Sequence, residues 1–352
     1  MKKICKYLLE EIQLIDNRIV PCGSRFWDGY NTADKFFIKP DASLKEIDFD
    51  YYFQKRHEYI EMYQRGETPE FCEDCVIYQP ISSEADISQQ KNIKKIHINH
   101  KTICSCRCIY CCLADNGDLK KFEEINKQVT YDIKPILTNI ADRGLLDENT
   151  EICIFGGECT EYPDDLDFII NVGLQNKCTF LIATNGIIYN ENIANLLRTA
   201  DIQLRFSLDS GSKETFEKIK RVKAYDRVIK NIEKYSEAAR NNPKAKIQMK
   251  YIICPDINDN IEEINKFFEI IKKNNADSSI LSINRFWLFD NKNNPTPEGT
   301  KRLIKYYFDK NTYPDISKST DSDELWDWWV EKVLKEEDKV SFKERMLKLF
   351  KR

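Results

Sequence analysis

Five cysteines crowd the run Cys104-Ser105-Cys106-Arg107-Cys108-Ile109-Tyr110-Cys111-Cys112. Three of them, Cys104, Cys108 and Cys111, stand at the spacing Cys-x3-Cys-x2-Cys. Cysteine thiolates hold iron–sulfur clusters, four of them closing a [4Fe–4S] cubane. Three ligands on one short loop leave one iron without a protein ligand, and an open position on a metal is where substrate chemistry happens. The spacing therefore predicts a cluster that binds a ligand through its fourth iron. A zinc knuckle or a set of buried thiols is the plainer alternative. Cys106 and Cys112 fit no ligand frame.

The chain has 352 residues, with 13 Cys but only 3 His. The start, Met1-Lys-Lys-Ile-Cys5-Lys-Tyr-Leu-Leu-Glu10-Glu11, lacks the apolar stretch of an export signal, so the expected setting is a reducing cytoplasm. There, cysteines in clusters point to metal rather than to disulfides, and the scarcity of histidine argues against a mononuclear zinc or non-haem iron centre. A formal net charge of −4 gives no basis for a general nucleic-acid surface, and no apolar run approaches a membrane span. A second cysteine group precedes the first. Cys5 and Cys22 flank Leu14–Val20, which reads as two short strands around an Asp16-Asn17 turn. A helix over Phe49–Arg65 follows, stopped by Gly66 and Pro69, and then Cys72 and Cys75 form a Cys-x2-Cys pair. Four thiolates would saturate a second cluster, favouring electron transfer or structure over substrate ligation; a structural zinc site takes the same ligands.

These residues need a frame. From residue 93 onward the chain alternates strand-like and helix-like stretches. Strands are expected at Ile93–Asn99, Glu151–Phe155, Thr179–Ala183, Ile202–Leu208, Ile247–Ile253 and Ser279–Ile283. Helices are expected at Asp132–Asp142, Asp164–Gly173, Asn190–Arg198, Ser212–Arg240 (with a break) and Ile261–Lys273. Six strands separated by five helical stretches imply parallel β/α units with right-handed crossovers, an α/β fold whose function gathers at the carboxyl ends of the strands. The cysteine loop follows the first strand, Gly156-Gly157-Glu158 the second and Thr184-Asn185-Gly186 the third. Ser207-Leu208-Asp209 ends the fourth, and Cys254-Pro255 the fifth. All five groups therefore share one edge of the expected sheet. The polar stretch Ser82–Gln90 reads as a linker, dividing an N-terminal domain (1–90) from the β/α core (91–290), with a helical extension (291–352) beyond.

This ordered set resembles the core of the radical S-adenosylmethionine (radical SAM) enzymes. Their common loop is Cys-Asn-Leu-Arg-Cys-x-Tyr-Cys; here Ser105 and Cys106 replace Asn and Leu, while Arg107 and Tyr110 match. The glycine-glycine-glutamate motif stands at Gly156–Glu158, with Cys159 where proline often follows, and 250–263 also resembles larger members. The resemblance implies a partial (β/α)6 TIM-like barrel and a [4Fe–4S] cluster on Cys104, Cys108 and Cys111, with SAM on its open iron. Reductive cleavage would give a 5′-deoxyadenosyl radical that takes a hydrogen atom from a peptide, saccharide or other small molecule, in an oxidation or a related modification. Gly156 and Gly157 would admit the methionine moiety and Glu158 would accept from its ammonium. Ser207 and Asp209 would hold the ribose, and backbone near Ile253 would read the adenine, with Tyr110 lining the same site. Cys254 would be the hydrogen donor if the outcome were epimerisation; methylation is the other alternative, and a non-catalytic zinc or iron–sulfur scaffold or sensor is the rival of another class. Flavodoxin or ferredoxin would supply electrons. The N-terminal cysteine pattern resembles the auxiliary-cluster modules of SPASM and twitch members, transposed ahead of the barrel, which implies a second [4Fe–4S] cluster on Cys5, Cys22, Cys72 and Cys75.

The remaining singular residues carry plainer expectations. Ser207 and Asp209 also suit the start of the following helix, and Thr184-Asn-Gly186 suits a simple turn. Cys153, Cys159 and Cys178 read as small core residues, His97 and His100 as structural, and Trp27, Tyr30 and Trp326–Trp329 as packing.

Overall fold

A computed structural model describes residues 3–15, 18–20, 49–69, 72, 80–82, 93–114, 117–127, 132–283 and 297–309. Cys22, Cys75, the Asp16-Asn17 turn, Trp27, Tyr30 and Trp326–Trp329 lie outside them.

In chain order the elements are β1 (Lys3–Cys5), α1 (Lys6–Glu10), β2 (Glu11–Ile15), β3 (Arg18–Val20), α2 (Phe49–Arg65), β4 (Pro80–Ser82) and β5 (Lys95–Asn99). They continue with α3 (Leu119–Ile125), α4 (Ile133–Asp142), β6 (Glu151–Ile154), α5 (Pro163–Gln175), β7 (Thr179–Thr184), α6 (Glu191–Thr199) and β8 (Ile202–Ser207). Last come α7 (Lys213–Lys220), α8 (Tyr225–Ala239), β9 (Ala245–Ile253), α9 (Ile261–Lys273), β10 (Ser278–Ile283) and α10 (Glu298–Asp309).

All six expected strands form, in the order β5-β6-β7-β8-β9-β10, each parallel to the next. Neighbours in sequence are neighbours in space, so successive right-handed crossovers put the helices on one side and curl the sheet into a partial barrel. The expected hairpin is present as β2 and β3, but it is not a separate unit: β2 pairs in parallel with β5, from Glu11 beside Lys95 to Ile15 beside Asn99. The boundary expected at residue 90 is thus crossed by backbone hydrogen bonds, and the N-terminal segment supplies a further parallel strand. What lies apart from the sheet is a small apolar cluster of β1, α1 and α2 residues, including Cys5, Tyr59 and Tyr63.

Alternation along the strands gives the sheet two unlike faces. The helix-covered face is apolar. Gly173 of α5 lies against Phe180 and Ile152, Tyr235 of α8 packs on Phe206 and Phe267 of α9 on Tyr251. Each such buried aliphatic or aromatic side chain contributes ~1.5–3 kcal/mol. The opposite, inner face carries His97, Asn99, Cys153, Gln203, Arg205, Ser207, Gln248 and Lys250. The long helical stretch from Ser212 is broken: Arg221 takes a left-handed conformation (φ 53°) that ends α7.

Candidate functional site: a cysteine loop tied to the strand ends

The cysteine loop leaves the carboxyl end of β5, and three tethers hold it. The first is the glycine pair. Gly157 N–H donates to Lys101 O (3.1 Å) and Glu158 N–H to Ile103 O (2.7 Å), so the lead-in to the loop lies directly on Gly156-Gly157. A Cβ on Gly157 would fall 2.3 Å from Ile103 O and 2.6 Å from Thr102 C. The lead-in strand thus takes the space that the missing Gly157 side chain leaves. Gly156 has φ +88° and is likewise closed over by Lys101 O, at 3.1 Å from an added Cβ.

The second tether runs through Glu158. Its carboxylate is buried and accepts from Thr160 Oγ1 (2.8 Å), Thr184 Oγ1 (2.7 Å) and Asn185 N–H (2.6 Å). Burial pushes this carboxyl upward, and the Asn185 and Thr184 donors oppose the shift. With its oxygens engaged inside the fold, Glu158 clamps the loop after β7. That clamp aims Asn185, whose Nδ2 reaches Cys104 Sγ at 3.7 Å and Ser105 Oγ at 3.4 Å. Thr184-Asn185-Gly186, expected as a turn, therefore touches the first cysteine of the loop.

The third tether is α7. Its last carbonyls, Ile219 O and Lys220 O, accept from Ile109 and Arg107 N–H, each at 3.0 Å. Lys220 turns inward, 1% exposed, and donates to Asp209 Oδ2 and to Tyr110 OH (2.6 Å). Tyr110 OH donates to Asp209 Oδ2, while Asp209 Oδ1 accepts from Ile252 N–H (2.7 Å). Burial pushes the Lys220 ammonium down, but Asp209 and the neighbouring Cys108 and Cys106 outweigh it, and the net direction is up. Asp209 is 0% exposed. Asp209 and the Tyr110 hydroxyl are engaged with Lys220 and with each other, and the two residues brace the loop against β8 and β9. Ser207 ends β8 on the inner face and is partly exposed. Ile253 turns its side chain into the apolar core and offers only backbone at the end of β9. Cys254, 2% exposed, donates its thiol to Ile252 O (3.8 Å).

So held, the loop sorts its own cysteines. Cys104, Cys108 and Cys111 are partly exposed, whereas Cys106 is buried in the core between Cys104 and Cys108. The Cys106 thiol and the Lys220 ammonium together bring the Cys108 thiol down to about 7, against the effect of burial. Among the described residues, no three His, Cys, Asp or Glu side chains converge on a point that would suit a single metal ion. A cubane makes no such demand, because each thiolate binds a different iron. Thiolate donors, one of them already lowered, on a loop fixed at three points, fit such a cluster. Cys153, Cys159 and Cys178 are buried, as expected of core thiols. His100 is buried against Asp165 (2.9 Å), also as expected. In the N-terminal group Cys5 is buried and Cys72 packs against the same apolar cluster.

The strand-end loop, its tethers and the parallel sheet define a class, and residues 98–271 match the model of the radical SAM superfamily. The chain carries a radical SAM domain and is an enzyme. Among curated proteins it is 27% identical over 198 residues to the GTP 3′,8-cyclase of Clostridium perfringens, covering 55% of this chain and 56% of that one. It is also 24% identical over 184 residues to a UPF0026 protein of Helicobacter pylori, covering 50% and 56%. The chain thus spans little more than half the length of these relatives. Among solved structures it is similar to SuiB of Streptococcus suis bound to precursor peptide SuiA, at 16% identity and TM-score 0.46, over 74% of this chain and 60% of that one.

Proposed function

We propose that this enzyme binds a [4Fe–4S] cluster on Cys104, Cys108 and Cys111 and modifies a peptide or small-molecule substrate, a saccharide included, in an oxidation or related reaction. When bound, the cluster would supply the electron that cleaves SAM to methionine and a 5′-deoxyadenosyl radical, which takes hydrogen from the substrate. The chain's own residues hold this site. Glu158 fixes the loop after β7, and Asn185 donates to Cys104. Lys220, Asp209 and Tyr110 hold the Cys108 side of the loop. Ser207, partly exposed at the end of β8, is the side chain we assign to the ribose, and the backbone at Ile253 is assigned to the adenine.

The carrying observation is the loop itself: three partly exposed cysteines, tethered at both ends, at the carboxyl edge of a sheet whose inner face is polar. Electron paramagnetic resonance of the anaerobically reconstituted, reduced protein tests it. Added SAM should change the cluster's signal, and Ser replacement of Cys104, Cys108 or Cys111 should abolish it. A zinc-loaded protein with no SAM response would favour the scaffold reading instead. The burial of Cys254 weighs against epimerisation, and product mass separates oxidation from methylation.

The second-cluster reading rests on Cys5 and Cys72 sharing one apolar cluster, with Cys22 and Cys75 completing the ligand set. Cys72→Ala with Cys75→Ala should then remove about half of the bound iron if both clusters are cubanes. Lost zinc with unchanged iron would replace that reading by a structural zinc site.

A further inference from the structure

The inner face of the sheet carries charged groups, and two pairs of them meet. Lys95 Nζ lies 3.0 Å from Glu151, and His97 Nε2 lies 3.5 Å from Glu11. Arg205, in the middle of β8, is the exception. Its Nε donates to Gln248 Oε1 (2.6 Å), an oxygen already accepting from Gln203 Nε2 (2.6 Å). No described carboxylate lies within ion-pair distance of it, Glu151 acting on it only from farther away while paired with Lys95, and its Nη1 and Nη2 make no hydrogen bond to any described residue. Gln203 and Gln248 therefore lock the guanidinium by one edge and leave the other edge open. One further polar atom on this face, Asn99 Oδ1, is buried without a hydrogen-bond partner. Buried polar atoms are rarely left so unless a ligand or ordered water completes them.

Position gives these groups meaning. Arg205 and Ser207 point the same way along β8, two residues and about 7 Å apart. Arg205 thus stands one layer below the strand end that carries the cysteine loop, on the side away from the helices. Asn99 immediately precedes the residues that lead into that loop. A guanidinium fork held by one edge is suited to two parallel hydrogen bonds with a carboxylate or a phosphate.

We propose that Arg205 is the anion anchor of the substrate cavity, binding a carboxylate or phosphate group of the substrate on its free guanidinium edge, with His97 and Asn99 on the same cavity wall. The assignment rests on the radical SAM reading for its location and names the substrate class that this reading leaves open: the substrate carries an anionic group about one layer below its reacting carbon. Arg205 is a substrate-positioning residue in this scheme, separate from the groups that hold the cluster.

The test uses the reconstituted full chain with inorganic pyrophosphate and succinate as probes. Isothermal titration should show one saturable site for at least one of them, weakened at least tenfold in Arg205→Gln and by a smaller factor in Arg205→Lys, which keeps the charge but loses the fork. Preference for pyrophosphate would mark a phosphorylated substrate, and preference for succinate a carboxylate. Because Arg205→Gln could fold poorly, a second readout uses the unmutated chain: the preferred probe should slow phenylglyoxal labelling of Arg205, measured by mass spectrometry, at least fivefold. Binding of neither probe, equal affinity in Arg205→Gln, or unprotected Arg205 would overturn the proposal. SAM cleavage by the unmutated chain is scored separately. Cleavage with an unprotected Arg205 would remove the anchor and keep the reaction; protection without cleavage would do the reverse.

Discussion

Replacing Lys220 with Met tests the tether that the sequence hid best. The side chains have similar length, so little volume is lost, but the Asp209 carboxylate keeps only the Ile252 N–H and the Tyr110 hydroxyl. Asp209 is 0% exposed and Lys220 1% exposed, so water cannot replace the lost ammonium. Breaking one side of a buried pair costs about 3–5 kcal/mol, because the surviving charge is left uncompensated. That lowers the folded-to-unfolded ratio by roughly two to four powers of ten at about 1.4 kcal/mol each. Against a domain stability of about 5–15 kcal/mol the loss is large but survivable. Urea unfolding under anaerobic conditions measures it, and Lys220→Met with Asp209→Asn provides the control. Removing both charges should restore more than half of the loss, since no unpaired charge remains. A single-variant cost below about 1 kcal/mol, or a double variant no more stable than the single one, would refute the reasoning.

Gly157→Ala puts a methyl 2.3 Å from Ile103 O and should lose most of the reconstituted iron while the β/α core still gives a cooperative melt; iron analysis and circular dichroism check both halves. Asn185→Asp keeps Oδ1 for Ile187 N–H (2.9 Å) but replaces the donor to Cys104 Sγ with a charge. Hydrogen bonds to cluster sulfurs help set the potential, so the cluster's midpoint should move to a more negative value in a spectroscopic redox titration. Asp165 is held down at about 2, from an ordinary 3.8, by His100 first and by Lys101 next. A depressed carboxyl contributes stability above its unfolded value and loses it as pH falls through its folded value, so the contribution disappears between about pH 4 and 2. Asp165→Asn should show a smaller loss of melting temperature across that interval than the unmutated chain.

Much of the frame was legible in the sequence, for a physical reason. Strands such as Ile202–Ser207 bury alternate residues under helices, and α9 begins with a capping Asn260 whose side chain accepts from Glu263 N–H, so period and punctuation agree. The cysteine spacing likewise separated Cys104, Cys108 and Cys111 from Cys106, and their exposure differs in the same way: the three are partly exposed and Cys106 is buried. What a single sequence conceals is who uses each side chain. Gly157 announces that something approaches closely, but not that Lys101–Ile103 is what approaches. Asp209 at a strand end looked like a ligand's partner because Lys220 sits on a Lys-rich helix that reads as solvated. Ion pairing across 11 residues has no periodic signature. The joining of β2 to β5 was invisible for the same reason: a hairpin can be read locally, whereas its pairing with a strand 84 residues later cannot.

The tethered cysteines are proposed to hold a cluster that cleaves SAM. Anaerobic incubation of the reconstituted full chain with SAM and a strong reductant, followed by chromatography of the products, shows whether they do. 5′-Deoxyadenosine and methionine should form in equal amounts, with neither formed after Ser replacement of Cys104, Cys108 or Cys111. Intact SAM beside a fully loaded [4Fe–4S] cluster would contradict that proposal.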